Sequence, residues 1–332
     1  MDYRVVLSGL VVGVAFGFVL QRGRFCLNTA FRNALYIREF TLLRAYLLAL
    51  LIAMAGANLL DLGGVIHLNR TAPSMHWLAA AIGGYLFGAG MVLGGGDAAG
   101  TWARAGEGLA GSWMTLFGIM VGAASAAGGA LSGITAYLTS AAPSSDTLFT
   151  IPAVLGVNRW IVIGVLSLAC LSFLLLGRSS YSAAQTGYHW KTSGALVGLL
   201  IVLGLFASER MTGVPSGITF PLPTGDVLQA AVAGQRLSWG ASLVLGIPLG
   251  SFISSRGLRE FSWRAPRAVV MVQQLGGGLL MGIGGTLAGG CSIGHGLSGM
   301  ASLALPSFLA MTFIVLGCLS MVYILFMREP MK

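Results

Sequence analysis

The sequence predicts an all-α polytopic membrane protein, with about nine transmembrane helices and re-entrant half-helices in an inverted-repeat hourglass architecture. Composition is the first observation behind this prediction: 56% of the 332 residues are hydrophobic and only 9% are charged, against about 25% charged residues in a typical soluble chain. The mean hydropathy of +0.84 agrees. The other observations are long uncharged stretches and a repeated glycine-rich motif. Together they exclude a soluble enzyme and a nucleic-acid-binding domain.

Uncharged stretches give the number of spans, because a membrane-crossing helix needs about 20 mainly apolar residues. The last stretch, 268–327, contains no Asp, Glu, Lys or Arg and is long enough that it must hold two spans. The predicted spans are 4–20, 42–60, 77–95, 110–138, 159–177, 192–208, 239–254, 268–289 and 303–327.

Basic residues predict the orientation. If segment 22–44 is cytoplasmic, nine alternating spans place 14 of the 19 Lys and Arg residues on the cytoplasmic side and 5 on the outer side. Cytoplasmic loops of membrane proteins carry such an excess. We therefore expect the N-terminus outside and the C-terminus in the cytoplasm.

Two similar segments, one in each half of the chain, indicate an internal repeat. Residues 90–100 are Gly-Met-Val-Leu-Gly-Gly-Gly-Asp-Ala-Ala-Gly and residues 284–294 are Gly-Gly-Thr-Leu-Ala-Gly-Gly-Cys-Ser-Ile-Gly, so Asp97 corresponds to Cys291. Coincidence is the alternative in a chain with 50 glycines. One copy follows an inward span and the other an outward span, as in inverted-repeat transporters. The prediction is one membrane transport domain over 1–332, with inverted repeats at approximately 1–140 and 190–328 joined by a linking span at 159–177.

Segments 97–108 and 291–300 are too apolar for solvated loops and too glycine-rich for spans, and segments 22–38 and 210–235 would form a second pair of the same kind. They predict re-entrant half-helices. Irregular backbone at membrane depth survives only where it is buried in protein or lines a cavity. We therefore expect these segments to meet around a narrow central pore.

Candidate site residues lie at the starts of these half-helices. Cys26 and Asn28 would begin the first one, with Arg22 and Arg24 at the cavity mouth, although a basic cytoplasmic loop is the alternative. Cys291 follows Gly290, where free backbone N–H groups and the helix dipole favour an anion.

Other polar residues follow the same two motifs. Asp97, after Gly96, is an ionisable residue in a membrane segment and thus a functional candidate, or a helix N-cap. Arg104 is expected to pair with Glu107. His295 lies four residues after Cys291 and so on the same helix face, and Ser292 directly follows Cys291.

The two remaining cysteines, Cys170 and Cys318, lie inside apolar spans, where a cysteine is usually a small filler. Nothing in the sequence clusters as zinc or haem ligands, so neither a metal nor a cofactor is expected.

The motifs Arg-Gly-Arg-Phe-Cys26, Gly-Gly-Asp97-Ala-Ala-Gly-Thr and Ala-Gly-Gly-Cys291-Ser-Ile-Gly-His-Gly resemble the YeeE/YedE family of bacterial inner-membrane sulfur-compound transporters. The resemblance implies an hourglass of inverted halves and a central line of three cysteines that passes thiosulfate along by thiol–sulfur hydrogen bonds. Cys26 and Cys291 match two of those positions, and Asp97 replaces the third cysteine. The resemblance also implies a small cytoplasmic sulfur-handling protein as partner.

These observations favour a non-enzymatic transporter that takes up a small sulfur-containing anion, most of all thiosulfate. A charged Asp97 would repel a dianion, so this residue is protonated, is paired with a cation such as Arg104, or marks a different cargo. The alternatives are a transporter of another sulfur or selenium compound, a membrane thiol-dependent sulfurtransferase, and a non-transporting membrane subunit. Lipid surrounds the protein in each case, and nucleic acid is not an expected partner.

Overall fold

The structure is a computed structural model that describes residues 3–68, 75–140, 149–176 and 187–327. Within these ranges the chain is helical and forms no strand, only two isolated bridges. The helices are α1 (Tyr3–Gly23), α2 (Leu27–Tyr36), α3 (Thr41–Leu62), α4 (Trp77–Leu93), α5 (Ala98–Gly106), α6 (Ala110–Ala127), α7 (Ser132–Ser140), α8 (Ile151–Leu155), α9 (Arg159–Leu176), α10 (Trp190–Thr212), α11 (Pro221–Ala233), α12 (Trp239–Gly257), α13 (Ala268–Ala288) and α14 (Leu305–Val322). Two π-helical segments, Gly294–Gly299 and Tyr323–Met327, flank α14.

Nine long helices, α1, α3, α4, α6, α9, α10, α12, α13 and α14, coincide with the nine predicted spans. In the described part of the chain, seven candidates are long and apolar enough to cross a membrane, counting α1 with α2 and α4 with α5 as continuous segments. Helix α9 is a shorter apolar helix, and α12 contains Pro248 and several glycines and serines. The protein is therefore an all-α, multi-pass membrane protein, as predicted.

One predicted span is wrong in its extent. The sequence predicts a single helix over 110–138, but α6 ends at Ala127 and α7 begins at Ser132. Gly128 and Gly129 separate them, because glycine has little helix propensity and readily leaves the helical conformation. Of the predicted cytoplasmic segment 178–191, which is counted in the orientation argument, residues 178–186 lie outside the described residues.

Glycine-mediated helix crossings explain part of the glycine content. Where α1 crosses α12, a Cβ at Gly17 would overlap the Ile247 carbonyl oxygen, and one at Gly250 would overlap the Val14 carbonyl oxygen. Gly278 of α13 approaches the backbone of α6 in the same way. Small residues allow such close packing in membranes, where dispersion replaces the hydrophobic effect between helices.

The helices pair in the same way in both halves of the chain. The α1–α12 pair has a counterpart in α10–α3, and the α6–α13 pair has one in α14–α4. Helix α2 packs on α14 as α11 packs on α6, and α5 packs on α12 as the π-helical segment Gly294–Gly299 packs on α3. Each of these four contacts has its counterpart when α1–α6 are exchanged for the helices from α10 to α14.

The four predicted half-helices correspond to α2, α5, α11 and the helical turns from Ser292 to Ala301. They fill the space between the long helices. Cys26 and Asp97 hold extended backbone angles immediately before α2 and α5. The first N–H groups of both half-helices are thus directed towards the interior of the protein, where the candidate residues lie.

Candidate functional site

Asp97 is completely buried and caps α5. Its Oδ1 accepts a hydrogen bond from the Gly100 N–H at 2.9 Å, and its backbone carbonyl accepts one from the Thr101 hydroxyl at 2.7 Å. An N-cap carboxylate satisfies one of the free N–H groups of a helix and interacts favourably with the helix dipole. Asp97 therefore fixes where α5 begins.

The same carboxylate ties α5 to α2. Its Oδ2 accepts from the Leu27 N–H at 3.1 Å, and its Oδ1 accepts from the Cys26 thiol at 3.3 Å. One buried side chain thus receives donors from the starts of two half-helices. The motif around Cys26 follows α1 and the motif around Asp97 follows α4, and the two motifs meet at the Asp97 carboxylate.

Cys291 makes the corresponding contacts in the second half. Its Sγ accepts from the Gly294 N–H at 3.2 Å and lies 4.0 Å from the Thr219 hydroxyl. The Phe220 backbone also interacts with the thiol. In the alignment of the two glycine-rich motifs, Cys291 and Gly294 correspond to Asp97 and Gly100. The two halves share one hydrogen-bonding pattern with different chemical groups.

Thr219 takes the place of Cys26 in this pattern. The offset that relates the two motifs pairs Cys26 with Phe220, and Thr219 immediately precedes Phe220. The Cys26 thiol donates to Asp97, and the Thr219 hydroxyl lies against the Cys291 thiol, where either group can be the donor. The correspondence is therefore one of contacts rather than of strict alignment.

Two cavities approach this layer of half-helix starts. The Cys26 cavity, of about 340 Å³, is lined by Arg24, Cys26, Gly100, Arg104 and Glu107 among others. The Thr219 cavity, of about 280 Å³, is lined by Thr219, Gly294, His295 and the loop before α14. Corresponding residues, Cys26 with Thr219 and Gly100 with Gly294, thus line different cavities, while Asp97 and Cys291 are completely buried and line neither of these two cavities.

Arg104 is held against the glycine motif that precedes Asp97. Its guanidinium group donates to the carbonyl oxygens of Gly95 at 2.7 Å and Gly100 at 3.2 Å and to the Thr101 hydroxyl at 3.4 Å. A Cβ at Gly96 would overlap its Nη2 atom, so only glycine leaves room for this cation. Arg104 is therefore a positive charge fixed beside the cap of α5.

The expected Arg104–Glu107 ion pair is wrong. Glu107 pairs instead with Arg24 at 2.9 Å, and Arg24 also pairs with Glu260 at 2.9 Å. Arg24 has a positive φ of 47°, which turns its side chain into the space between the ends of α5 and α12. The Arg104 guanidinium donates to backbone carbonyls instead. Glu107 therefore pairs with Arg24, which reaches it across the mouth of the cavity.

Arg22 belongs to the same cluster. Its guanidinium lies 3.8 Å from Glu260 and over the Tyr188 ring, and the neighbouring Gln21 donates to Glu260 at 2.7 Å. Of the two arginines predicted at the mouth, only Arg24 lines the Cys26 cavity. Glu260 was not a sequence candidate, because it follows a different span and no local motif marks it.

Cys318 differs from the filler expected from its apolar span. It is completely buried, and its thiol lies 3.7 Å from the Asn28 Oδ1 in donor geometry. The Asn28 amide also donates to the Met91 carbonyl at 3.2 Å. Cys318 thus helps to hold the first turn of α2, whereas Cys170 is partly exposed on α9.

The two ring nitrogens of His295 contact groups other than Cys291. Its Nε2 lies 3.0 Å from the Ala288 carbonyl, which can only accept, so Nε2 carries the proton. Its Nδ1 then accepts from the Ser307 hydroxyl at 3.2 Å. Gly290 makes room for the ring, because a Cβ there would lie 2.9 Å from Nε2.

Ser292 is the one candidate whose polar group has no protein partner within the described residues. Its side chain is 1% exposed, and its hydroxyl makes no hydrogen bond there. Buried hydroxyl groups are normally hydrogen-bonded. The hydroxyl next to Cys291 is therefore a buried polar group that none of the described residues satisfies.

Over the ranges that the structure describes, no group of three or more His, Cys, Asp or Glu side chains is arranged to hold a metal ion. The candidate site consists instead of thiols, one carboxylate, hydroxyl groups, glycine amides and arginines. These groups suit hydrogen bonding to a small anion.

Paired half-helix starts in each half of the chain, next to long apolar helices and cavities, define a polytopic membrane protein with the architecture of a secondary transporter. The family described as sulphur transport matches residues 22–320, and the chain belongs to this family, which confirms the resemblance to YeeE/YedE proteins. It is 35% identical to the thiosulfate transporter TsuA of Escherichia coli, over 99% of this chain and 97% of that protein. It is also 35% identical to the thiosulfate transporter TsuA of Spirochaeta thermophila, over 98% and 100% of the two chains. The probable transporter YedE of Salmonella typhimurium is 33% identical over 34% of this chain and 27% of its own length.

Proposed function

We propose that this protein takes up a small sulfur-containing anion, most of all thiosulfate, through a path that passes Cys291, Asp97 and Cys26. The observation that carries this proposal is the matching pair of half-helix starts, whose residues Cys26 and Gly100 line one cavity and Thr219 and Gly294 line another. Two relatives of nearly equal length bear the name thiosulfate transporter, which supports this cargo over other sulfur and selenium compounds.

The chemistry of the path suits such an anion. N–H groups at half-helix starts favour negative charge, and thiols are weak donors and acceptors that can bond a terminal sulfur atom. The unpaired Ser292 hydroxyl lies next to Cys291. In the proposed sequence, the anion moves from the Thr219 cavity to Cys291 and Ser292, and then to Cys26.

Asp97 gives the path its distinctive step. Because the Cys26 thiol donates to Asp97, an incoming anion must compete with that carboxylate for the thiol proton. Arg104, fixed against Gly96, supplies a cation next to Asp97 that offsets repulsion of the anion. Asp97 therefore competes with the cargo for the hydrogen bond of the Cys26 thiol, and accepts that bond when no cargo is bound.

The arrangement of the whole chain follows from the same proposal. The two inverted repeats extend over approximately 1–140 and 190–328 and are linked by the span at 159–177, and the equivalent helix pairs of the two halves support this division. The protein lies in the bacterial inner membrane, with its N-terminus outside and its C-terminus in the cytoplasm. The Cys26 cavity, with Arg24 at its mouth, then opens to the cytoplasm, where a small sulfur-handling protein would receive the cargo.

A sulfurtransferase finds less support, because a catalytic thiol needs a nearby base or cation to lower its pKa. Both ring nitrogens of His295 are engaged by other groups, as described above, and the Cys26 thiol, although Arg104 lines the same cavity, keeps its proton in a hydrogen bond to the Asp97 carboxylate. We therefore propose a transporter without enzymatic activity.

Uptake of labelled thiosulfate into proteoliposomes tests the proposal. Cys26→Ala and Cys291→Ala should each reduce the initial rate by at least about tenfold, because one lost transition-state contact of about 1.4 kcal/mol has this effect. Cys170→Ala, on the partly exposed face of α9, is the matched control and should keep the native rate. Native uptake by both Cys26→Ala and Cys291→Ala would contradict the proposed path.

A further inference from the structure

Arg104 also borders a third cavity, which Cys26 does not line. It has a volume of about 270 Å³ and is bordered by Gly95, Arg104, Gly111, Ser112, Arg264 and Gln274. Apart from Arg104, none of these residues lines the Cys26 cavity or the Thr219 cavity. We call it the Arg264 cavity.

The backbone builds this cavity in a defined way. The Arg264 N–H donates to the Gly108 carbonyl at 3.0 Å, and the Ala110 N–H donates to the Arg264 carbonyl at 2.9 Å. Gly108, with φ of 95°, permits this approach, since a Cβ there would lie 2.8 Å from the Ser262 carbonyl oxygen. The loop between α12 and α13 is thereby fixed at the start of α6.

Two guanidinium groups border the cavity without a carboxylate partner in the described part of the chain. The nearby carboxylates of Glu107 and Glu260 are ion-paired with Arg24. Arg104 bonds only carbonyl and hydroxyl oxygens, and Arg264 bonds the Ser262 hydroxyl. Each of these guanidinium groups therefore keeps N–H donors that none of the described residues binds.

Neutral polar groups complete the lining. The Gln274 amide packs on Gly111, and its Oε1 is buried without a hydrogen-bond partner among the described residues. Ser112 contributes a hydroxyl group to the same wall. Guanidinium groups together with hydroxyl and amide groups are the donors that bind phosphate oxygens.

The surroundings are those of a membrane interface. Trp263, next to Arg264, is 69% exposed, and Val272 on α13 is 68% exposed. Tryptophan is enriched at the level of lipid headgroups, and basic pockets between transmembrane helices bind anionic headgroups. An acyl chain would lie along the exposed face of α13 while its phosphate group enters the cavity.

We propose that the Arg264 cavity binds a phosphate-type oxyanion, held by Arg264 and Arg104 at the start of α6. The same chemistry is available from an anionic phospholipid headgroup and from free phosphate. This site is separate from the proposed transport path, with which it shares only Arg104.

The test compares the native protein with Arg264→Gln, Gln274→Glu and Arg267→Gln. Gln274→Glu keeps the shape of the side chain but places a carboxylate beside the guanidinium groups. Arg267→Gln removes the same charge three residues away, from a side chain that does not line the cavity, and is the matched control.

Two assays measure binding. The first counts, by native mass spectrometry, the phosphatidylglycerol molecules retained by protein that is released from mixed phosphatidylglycerol–phosphatidylcholine nanodiscs. The other arm measures inorganic phosphate binding calorimetrically in uncharged detergent.

The expected result is that Arg264→Gln and Gln274→Glu weaken binding by about tenfold or more, as loss of a charge-assisted hydrogen bond does, while Arg267→Gln binds like the native protein. An effect in the first arm alone identifies a lipid headgroup, an effect in the second alone identifies free phosphate, and an effect in both identifies the phosphate group as the determinant. Should the native protein bind neither probe, or should Arg267→Gln lose as much binding as Arg264→Gln, the proposal is overturned. The same holds if neither cavity variant weakens binding.

Discussion

Replacing Asp97 tests whether this carboxylate organises the site. Its two oxygens accept from two buried backbone N–H groups, those of Gly100 and Leu27, and from the Cys26 thiol. In Asp97→Asn, the amide nitrogen must occupy one of the two oxygen positions. The less costly orientation keeps the cap of α5 and leaves the Leu27 N–H facing another donor.

The magnitudes follow from counting unpaired donors. A buried donor without its acceptor costs about 1–3 kcal/mol, so Asp97→Asn should lower the free energy of unfolding by about that amount. Asp97→Ala leaves two backbone donors unpaired and should cost roughly 2–6 kcal/mol. Asp97→Cys should be less destabilising than Asp97→Ala, because a thiol at the equivalent position of the other half accepts from Gly294.

Denaturation of the purified variants in detergent, followed by tryptophan fluorescence, measures this order. Asp226→Asn is the control, since it removes a carboxylate from the partly exposed face of α11. Uptake in proteoliposomes provides a second readout, in which Asp97→Asn should change the pH profile or the preference among sulfur anions. If Asp97→Ala were as stable as the native protein, Asp97 would not organise the two half-helix starts and the reasoning would be refuted.

Four further predictions use other parts of the structure. Gly17→Ala should destabilise the α1–α12 crossing by about 1–3 kcal/mol, measured in the same denaturation assay, whereas Gly276→Ala should not, because none of the described atoms lies close to a Cβ there. Ser292→Ala should leave unfolding unchanged but raise the KM for uptake, since its hydroxyl has no partner in the described part of the protein; an unchanged KM would remove it from the path. Arg24→Gln should cost no more than about 1 kcal/mol, because its side chain is 48% exposed, and a larger loss in denaturation would contradict a solvent-screened pair. Reporter fusions should place the two termini on opposite sides of the membrane; reporters on one side would contradict the nine-span orientation.

The spans and half-helices could be predicted from sequence because their signals are local. A run of uncharged residues marks a span wherever its partners lie, and clustered glycines mark a break. The exception at Gly128 and Gly129 shows the limit of this signal, because two glycines within an apolar run were not enough to distinguish one long helix from two shorter ones.

The contacts between candidate residues could be predicted only in part. Asp97 and Cys291 were found because their motifs repeat at a constant offset. Thr219 was missed because the repeat shifts by a single position there, so that the constant offset pairs Cys26 with Phe220 instead. The contacts of Glu260 with Arg24 and of Cys318 with Asn28 join residues from distant spans, and no local pattern connects such residues.

The asymmetry between the two halves has a direct physical consequence. Both half-sites place an acceptor against the free N–H groups of a half-helix, but one acceptor is the Asp97 carboxylate and the other is the Cys291 thiol. A carboxylate is the stronger acceptor and occupies the Cys26 thiol, whereas the Cys291 thiol is held only loosely by the Thr219 hydroxyl at 4.0 Å. A solute that accepts hydrogen bonds therefore meets less competition at Cys291 than at Cys26. In the proposed orientation, binding is easier on the outer side, and the step past Asp97 and Arg104 controls release towards the cytoplasm.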